Sequence, residues 1–226
     1  SSAASDVYKR QGLIIVSGPV GSGKTTTLAS VVQHINRTRE YHIITVEDPI
    51  EYMHENEKSL IHQREVYTDT VSFASALKYG LREDPDVILI GEMRDLETIS
   101  LAIEAASTGH LVFGTLHTSS APKTVDRVIE VFPSSEQAQI RSTLSDGLRA
   151  VVAQVLFKRI DKKGRCAALE ILIANPAVRN LIREAKTHQL ASMIQTGKKY
   201  GMQLLDDAIM DLYNKGWISA EEAYIK

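Results

Sequence analysis

The sequence predicts an α/β fold in which a mostly parallel sheet is followed by a mainly helical C-terminal subdomain. Short apolar runs that suit buried strands alternate with helical patterns up to His117, and from Ala121 onward the pattern becomes mostly helical. This alternation is typical of a parallel sheet covered on both faces. We expect a disordered leader or expression remnant over residues 1–11, with a short native linker as the alternative, then a core over residues 12–150 and a hairpin with helices over residues 151–226.

The composition indicates a folded chain with little net charge. Of its 226 residues, 43% are hydrophobic, which allows a sizeable core. The 26 basic and 28 acidic side chains offer no general attraction to nucleic acid or to an anionic membrane. A single cysteine, Cys166, excludes internal disulfides and is typical of a reducing compartment. No apolar run approaches the ~20 residues of a membrane span, so we expect a cytoplasmic protein.

The first predicted strand, residues 13–16, leads into a glycine-rich loop. Residues 18–25 read Gly-Pro-Val-Gly-Ser-Gly-Lys-Thr. The glycines let the backbone amides converge on one small volume that suits a phosphate, and the helix that follows adds its positive end. In this Walker A pattern, Lys24 reaches the β- and γ-phosphates and the Thr25 hydroxyl reaches Mg²⁺.

The loop therefore predicts nucleotide binding, with an ordinary glycine-rich turn as the alternative. The apolar strand before it and the helix-forming run over residues 26–36 are the context that a phosphate loop needs. We predict ATP and Mg²⁺ as ligands, with Thr25 also serving the metal. The residues expected to bind ATP are Gly18, Gly21, Ser22, Gly23, Lys24, Thr25 and Thr26.

Acidic residues follow the second predicted strand, residues 42–46. Glu47 and Asp48 stand at its end, just before Pro49. Ligands bind at the carboxyl ends of parallel strands, so these carboxylates are expected to face the phosphates and their metal, with Asp48 as a metal residue. Beyond them we predict a short extra strand over residues 60–65 and an amphipathic helix over residues 72–82.

A third strand, residues 87–90, ends in an atypical Walker B sequence. The usual aspartate is replaced by Gly91, and Glu92 comes one position later. We predict that Glu92 positions the attacking water, while Glu47 and Asp48 give the water-mediated support for Mg²⁺ that Gly91 cannot. The two glutamates are candidates for overlapping roles. The alternative for Glu92 is a carboxylate stabilised by the N-terminus of the next predicted helix, residues 96–107.

Two histidines bracket the fourth predicted strand, residues 110–117. In an extended chain His110 and His117 lie more than about 20 Å apart, which is too far to share one metal ion. His117, at the carboxyl end, is assigned a catalytic role in sensing the γ-phosphate or a neighbouring subunit. His110, at the opposite end, is expected to cap or pack.

The remaining predicted elements are helices around one hairpin. A helix is expected over residues 124–132, and a capping box of Ser134 and Gln137 is expected to begin a second one that runs through residue 148. Residues 155–160 and 166–173 are predicted to form a β-hairpin. Further helices are predicted over residues 177–185, 189–195 and 202–214, and after Ser219.

These motifs resemble those of the secretion-type P-loop ATPases that power type II secretion and type IV pili, and among them the pilus retraction ATPases, the PilT family. The matching segments are residues 18–25, 45–52, 84–95, 109–118, 177–184 and 201–206, together with Glu170. The resemblance implies a RecA-like core that hydrolyses ATP with Mg²⁺ and assembles as a ring, usually a hexamer. It also implies that hydrolysis turns the pilus platform protein of the inner membrane, where the chain would be peripheral.

The resemblance adds expectations about missing and coupling parts. The family carries an N-terminal PAS-like domain with arginines that complete the neighbouring ATP site, so we expect this chain to be the ATPase domain without it. Residues 177–184 suit an amphipathic helix, either an ordinary solvated one or one that couples hydrolysis to movement. Its expected inward residues are Val178, Leu181 and Ile182, and its expected outward residues are Arg179, Arg183 and Glu184. Candidates for contacts between subunits are Arg64, Arg82, Arg94 and Arg127.

Three other functions remain as alternatives. One is a pilus extension or type II secretion ATPase of the same superfamily. Another is a nucleic-acid motor of RecA-like fold, against which the near-neutral charge and the lack of an evident aromatic and basic strand-binding loop argue. The third is a nucleotide-binding scaffold that does not hydrolyse, against which Lys24, Thr25, Glu47 and Glu92 argue.

Overall fold

A seven-stranded sheet organises the computed structural model, which describes residues 11–225. The strand order is β3-β2-β4-β5-β1-β6-β7, and neighbours are parallel except for the antiparallel pair β6 and β7. The strands are β1 (Gly12–Ser17), β2 (His42–Glu47), β3 (Leu60–Glu65), β4 (Val87–Ile90), β5 (Leu111–Leu116), β6 (Leu148–Lys158) and β7 (Arg165–Ile173). The mostly parallel α/β sheet and the extra strand β3 are confirmed.

Helices connect the strands and continue after the hairpin. They are α1 (Lys24–Thr38), α2 (Phe73–Gly80), α3 (Leu96–Ser107), α4 (Ala121–Glu130), α5 (Gln137–Gly147), α6 (Pro176–Arg183), α7 (Leu190–Thr196), α8 (Leu205–Asn214) and α9 (Ala220–Ile225). Three short 3₁₀ turns cover Leu81–Glu83, Thr187–Gln189 and Lys198–Tyr200. Within residues 11–225, none of these helices combines the length and the apolar character that crossing a membrane requires.

The sheet is buried on both faces because apolar clusters that include helix residues pack on each of them, and alternate residues of a strand point to opposite faces. Ile88 and Ile90 of β4 belong to the larger apolar cluster, which also takes in side chains of α2 through α7. Val87 and Leu89 of the same strand belong to a second cluster beneath α1. All four residues of β4 are therefore buried, which explains why its sequence is continuously apolar.

Side-chain caps fix the start of several helices. The Ser72 hydroxyl accepts from an amide of α2, and the Asp95 carboxylate accepts from the Thr98 amide of α3. The predicted capping box of Ser134 and Gln137 is wrong. Residues 133–136 form a turn, so that α5 begins only at Gln137, whose side-chain amide donates to the Phe132 carbonyl.

Strand β6 begins seven residues before the expected start of the hairpin. Its first half pairs in parallel with β1, and it pairs with β7 as the predicted hairpin partner. Burial does not alternate from residue to residue at the start of β6, so the period of two that marks a half-buried strand is missing there. The expected boundary between residues 150 and 151 falls inside this strand, and the division into two parts stays a prediction. The predicted leader lies outside the described residues except for Gln11.

Candidate active site

The loop between β1 and α1 is built to hold an anion. Gly18 has a φ of 147°, and a side chain there would collide with the Gln154 carbonyl and the Ser22 hydroxyl. The Ser22 Oγ is buried without a hydrogen-bond partner among the described residues. No side chain within residues 11–225 caps the start of α1, so its first amides remain available. A buried hydroxyl and unused helix amides in one loop fit a phosphate group.

Lys24 already lies inside this loop, with only 8% of its surface exposed. Its Nζ donates to the carbonyls of Gly18 at 2.8 Å and Pro19 at 3.0 Å, and it lies 3.3 Å from the Nδ1 of His117. Burial lowers the pKa of Lys24, while the charge of Glu92 acts in the opposite direction. A phosphate entering the loop would offer the ammonium a stronger, charge-assisted partner than these carbonyls.

Glu92 stands between His117 and Arg94. Its Oε1 lies 2.9 Å from the Nε2 of His117, and its Oε2 lies 2.5 Å from the guanidinium of Arg94. The hydrogen bond from Arg94 is the main reason why the pKa of Glu92 is lowered, so the side chain is a carboxylate at neutral pH. Since Asp95 caps α3, the alternative role of Glu92 at that helix N-terminus is not what its contacts show.

Glu47 is buried at the end of β2, beside a small cavity. Its Oε2 accepts from the Thr45 hydroxyl at 2.8 Å and from the Gln63 amide at 3.3 Å. The cavity has a volume of about 20 Å³, and its lining residues are Thr25, Leu28, Ala29, Thr45, Glu47, His54, Leu89, Gly91 and Thr115. This space suits one water molecule. The oxygens of Thr25 and Glu47 around it suit Mg²⁺, which prefers oxygen ligands and keeps several of its waters.

Asp48 is not brought to this cavity. Its side chain is exposed and is absent from the lining, although its charge reaches Arg94. The chain turns outward at the end of β2, so adjacent residues point to different sides. The Thr25 hydroxyl instead faces Glu51, whose Oε1 lies 3.4 Å away. Glu47, and not Asp48, is therefore the carboxylate that shares the lining of the cavity with Thr25.

The close approach of β2 explains why glycine, and not the usual aspartate, stands at position 91 after β4. A Cβ at this position would lie 3.1 Å from the Val46 carbonyl oxygen and 3.2 Å from the Cα of Glu47. Any side chain, including the usual aspartate, would push against the backbone that carries Glu47. Glycine thus lets β4 and β2 approach closely at their ends, where Glu47 stands.

Other predicted loop residues have more peripheral positions. Gly21 is exposed, and Gly23 adopts a left-handed conformation immediately before α1. The Thr26 hydroxyl is exposed and lies 3.0 Å from the hydroxyl of Tyr52. Thr26 therefore faces the segment that follows β2, and not the buried side of the loop.

One residue that shapes the loop carried no motif. Gln154 of β6 is buried, accepts from the Thr27 hydroxyl at 2.7 Å and donates to the Ser22 carbonyl at 2.6 Å. Its only sequence signal is an amide side chain in an apolar strand, which needs a partner when buried. Gln154 therefore fastens the phosphate loop to the strand next to β1.

Similarity to known proteins extends over nearly the whole chain. The model of the Type II/IV secretion system protein family matches residues 2–224, which include most of the expected leader. This chain belongs to that family. It is 57% identical over 223 residues to a type IV pilus retraction ATPase, PilT, of Pseudomonas aeruginosa, covering 96% of this chain and 64% of that protein. It is 58% identical over 213 residues to a twitching motility protein of Neisseria gonorrhoeae, covering 94% of this chain and 57% of that protein.

The fold of this family member also matches a solved structure. A crystal structure of the pilus retraction motor PilT with bound ADP superposes with a TM-score of 0.89 at 51% identity, covering 95% of this chain and 61% of that one. The expected RecA-like fold is thereby confirmed. The chain spans 64%, 57% and 61% of the lengths of these three proteins.

In this family member, helix α6 is anchored by a residue that was expected to face outward. Val178 and Ile182 are buried as predicted, but Arg179 is half-buried and turned inward. Helix α5 ends at Gly147, and its last carbonyls lack donors within the helix. The guanidinium of Arg179 turns inward because it can donate to them. Arg179 donates to the carbonyls of Ser145, Asp146, Leu148 and Ala174.

Proposed function

We propose that the chain is the ATP-hydrolysing part of a type IV pilus retraction motor. The observation that carries the proposal is the row formed by Glu92, His117 and Lys24, in which one imidazole ring links a carboxylate to the lysine of the phosphate loop. The names of the two relatives and of the solved structure support pilus retraction as the work that hydrolysis drives.

In this proposal, the loop binds the triphosphate and the carboxylates act on water. Lys24 exchanges the carbonyls of Gly18 and Pro19 for phosphate oxygens, and the Ser22 hydroxyl gains a partner. Thr25 and Glu47 are the residues that would hold Mg²⁺, which when bound neutralises charge on the β- and γ-phosphates. Asp48 has no part in the metal site in this proposal.

Glu92 performs the proton transfer. Its carboxylate takes a proton from the attacking water as the water oxygen bonds to the γ-phosphorus and the bond from that phosphorus to the β–γ bridging oxygen breaks, leaving ADP and phosphate. His117 and Arg94 each hold one oxygen of Glu92, so the carboxylate keeps its direction. The two glutamates therefore divide the work, with Glu92 at the water and Glu47 at the metal.

The nucleoside and the partners belong to the same proposal. A groove of about 750 Å³ runs from the loop to the hairpin, and its lining includes Val20, His117, Leu156 and Arg165. This groove is large enough for the base and ribose. Arg94 is 62% exposed in its side chain, which suits a second contact across a ring of subunits, expected to be a hexamer. The pilus platform protein at the inner membrane is the expected partner.

The decisive experiment replaces Glu92 by Gln. Glu92→Gln is expected to lower the rate of phosphate release at saturating ATP by about 10²–10⁴-fold, since a general base is lost, while the Kd of a fluorescent ATP analogue stays within about threefold. Glu97→Gln, an exposed change in the first turn of α3, is the control and should leave both values unchanged. Full turnover by Glu92→Gln would refute the assignment.

The retraction function is tested separately in cells. In a piliated bacterium that lacks its own retraction ATPase, the gene encoding this chain is expected to restore twitching, and the Glu92→Gln version is not. Restored pilus assembly in a strain that lacks the extension ATPase would instead make this chain an extension motor. Hydrolysis stimulated by DNA would indicate a nucleic-acid motor.

A further inference from the structure

Two histidines and a glutamate meet at the outer edge of the sheet, away from the phosphate loop. His42 begins β2, His62 lies in the edge strand β3, and Glu83 ends the 3₁₀ turn before β4. One ligand atom from each of the three lies within 4.8 Å of the others. The Nε2 of His42 is 3.1 Å from the Nδ1 of His62, which is 3.8 Å from the Oε2 of Glu83.

We propose that His42, His62 and Glu83 bind a divalent transition-metal ion such as Zn²⁺. In a tetrahedral zinc site with metal–ligand distances near 2.0–2.1 Å, neighbouring ligand atoms lie about 3.3 Å apart. The observed separations of 3.1 Å between the two histidine nitrogens and 3.8 Å between His62 and Glu83 lie on either side of that value. The imidazole rings meet edge to face, with an interplanar angle of 85°, so both nitrogens converge without stacking of the rings.

The surroundings of Glu83 support a ligand role. Its Oε2 faces His62, and its Oε1 is held by the guanidinium of Arg64. Carboxylates that bind metals are commonly oriented by such an outer hydrogen bond. The bond from Arg64 is also the main reason why the pKa of Glu83 is lowered, so the carboxylate is ionised at neutral pH. The Asp86 carboxylate adds negative charge beside His42, whose amide it binds at 2.9 Å.

The ligand types favour Zn²⁺ over the Mg²⁺ of the catalytic site. Imidazole nitrogens suit zinc, copper and nickel, whereas magnesium prefers an all-oxygen shell. The side chains of His62 and Glu83 are 49% and 36% exposed, which leaves room for a water as the fourth ligand. His42 and Glu47 stand at opposite ends of β2, about 17 Å apart at ~3.3 Å per residue, so the two sites are separate.

A bound ion would fasten the edge of the sheet. It would join β2, β3 and the turn before β4 at one point, where now His42 and His62 lie side by side. A ligand that binds only the folded chain raises its stability by mass action. Zn²⁺ is therefore expected to raise the melting temperature of the whole chain even when no nucleotide is present.

The test is calorimetric titration of the full chain with Zn²⁺ in a buffer that contains Mg²⁺. We expect one ion per chain and an affinity at least about tenfold lower in His62→Gln and in Glu83→Gln. His188→Gln changes an exposed histidine in another part of the fold and serves as the control, with unchanged affinity. Zn²⁺ should raise the melting temperature of the original chain and of the control but not that of the two site variants.

Two results would overturn the proposal. Equal Zn²⁺ affinity in the original chain and in both site variants would reduce the cluster to a hydrogen-bonded pair of histidines. Zn²⁺ binding that is lost in His117→Gln but kept in His62→Gln would show that the ion binds near His117 and Glu92, which contact each other, and not at the proposed site. Circular dichroism checks the folding of each variant, and if His62→Gln does not fold, the exposed change Glu83→Gln decides the question.

Discussion

The two ends of the central strands use polar side chains in different ways. At the carboxyl ends, polar and charged side chains contact one another, as Glu92 does with His117 and Arg94. At the amino ends of β5 and β6, polar side chains bind main-chain carbonyls. The Nδ1 of His110 lies 2.6 Å from the Pro85 carbonyl oxygen, and Arg179 binds four carbonyls. A side chain tied to the main chain holds the fold, whereas one tied to another side chain is available to a ligand or a reacting group.

Lys24 tests this distinction most strongly, because it lies at the carboxyl end but binds carbonyls. We expect a phosphate to replace those carbonyls as the hydrogen-bond partner of Lys24. Lys24→Ala should then weaken the binding of an ATP analogue by roughly 10- to 100-fold, as expected for a lost charged hydrogen bond. The stability of the chain should change little. Fluorescence titration measures the affinity, and Lys78→Ala, an exposed change in α2, is the control. If Lys24→Ala lowers the stability of the chain and leaves the affinity for the ATP analogue unchanged, Lys24 is one of the side chains that hold the fold.

Arg179 should have its main effect on stability. Arg179→Ala removes the donor of four carbonyls, so we expect the free energy of unfolding in urea to fall by about 2 kcal/mol. Arg183→Ala, a change on the same helix as Arg179, breaks an exposed ion pair with Asp146 of α5 and should cost less than about 1 kcal/mol. Equal losses in the two variants would show that the buried contacts of Arg179 contribute nothing special.

The two histidines of the β5 segment give a matched pair. His117→Gln should lower the rate of ATP hydrolysis about tenfold, or about 1.4 kcal/mol of transition-state stabilisation, because Glu92 loses one of its two positioning contacts. His110→Gln should leave the rate within about twofold but lower the free energy of unfolding by about 1 kcal/mol. Steady-state kinetics and urea unfolding of both variants separate the two effects. If both variants lower only the hydrolysis rate, or both lower only the free energy of unfolding, the distinction between the two ends of the strands is wrong.

The smallest expected effect concerns pH. Arg94 lowers the pKa of Glu92, so the carboxylate and the stability it contributes persist at neutral pH and are lost only as the pH falls through that lowered pKa. Arg94→Ala should move the acid limb of the kcat profile upward, by less than about one pH unit given the partial exposure of the pair. An acid limb that stays in place would mean that another group titrates in the reaction.

Local patterns in the sequence were enough for strands β1 to β5 and for the phosphate loop. The continuous apolar run of β4 reflects burial on both faces, and the glycines and Lys24 of the loop stand next to each other in the chain. The positions of Glu92 and His117 followed as well, because the carboxyl ends of parallel strands meet at one edge. In these cases the structural cause lies within a few residues of the signal.

The features that were missed depend on partners far away in the chain. Whether Asp48 or Glu47 faces the cavity is decided by how the chain leaves β2, and Arg179 turns inward because α5 ends next to it. The start of β6 was hidden because its first partner, β1, lies at the other end of the sequence. Helix periodicity and motif spacing contain no information on such contacts.

Gln154 reaches the Ser22 carbonyl across 132 positions of sequence. During synthesis, the ribosome completes the entire Walker A segment long before it makes the strand that carries this glutamine. The nascent chain would therefore hold every residue of the motif and still lack the finished shape of the loop. We expect tight nucleotide binding to arise only once β6 has joined the sheet, so that a shortened chain ending before β6 keeps the motif but binds ATP poorly.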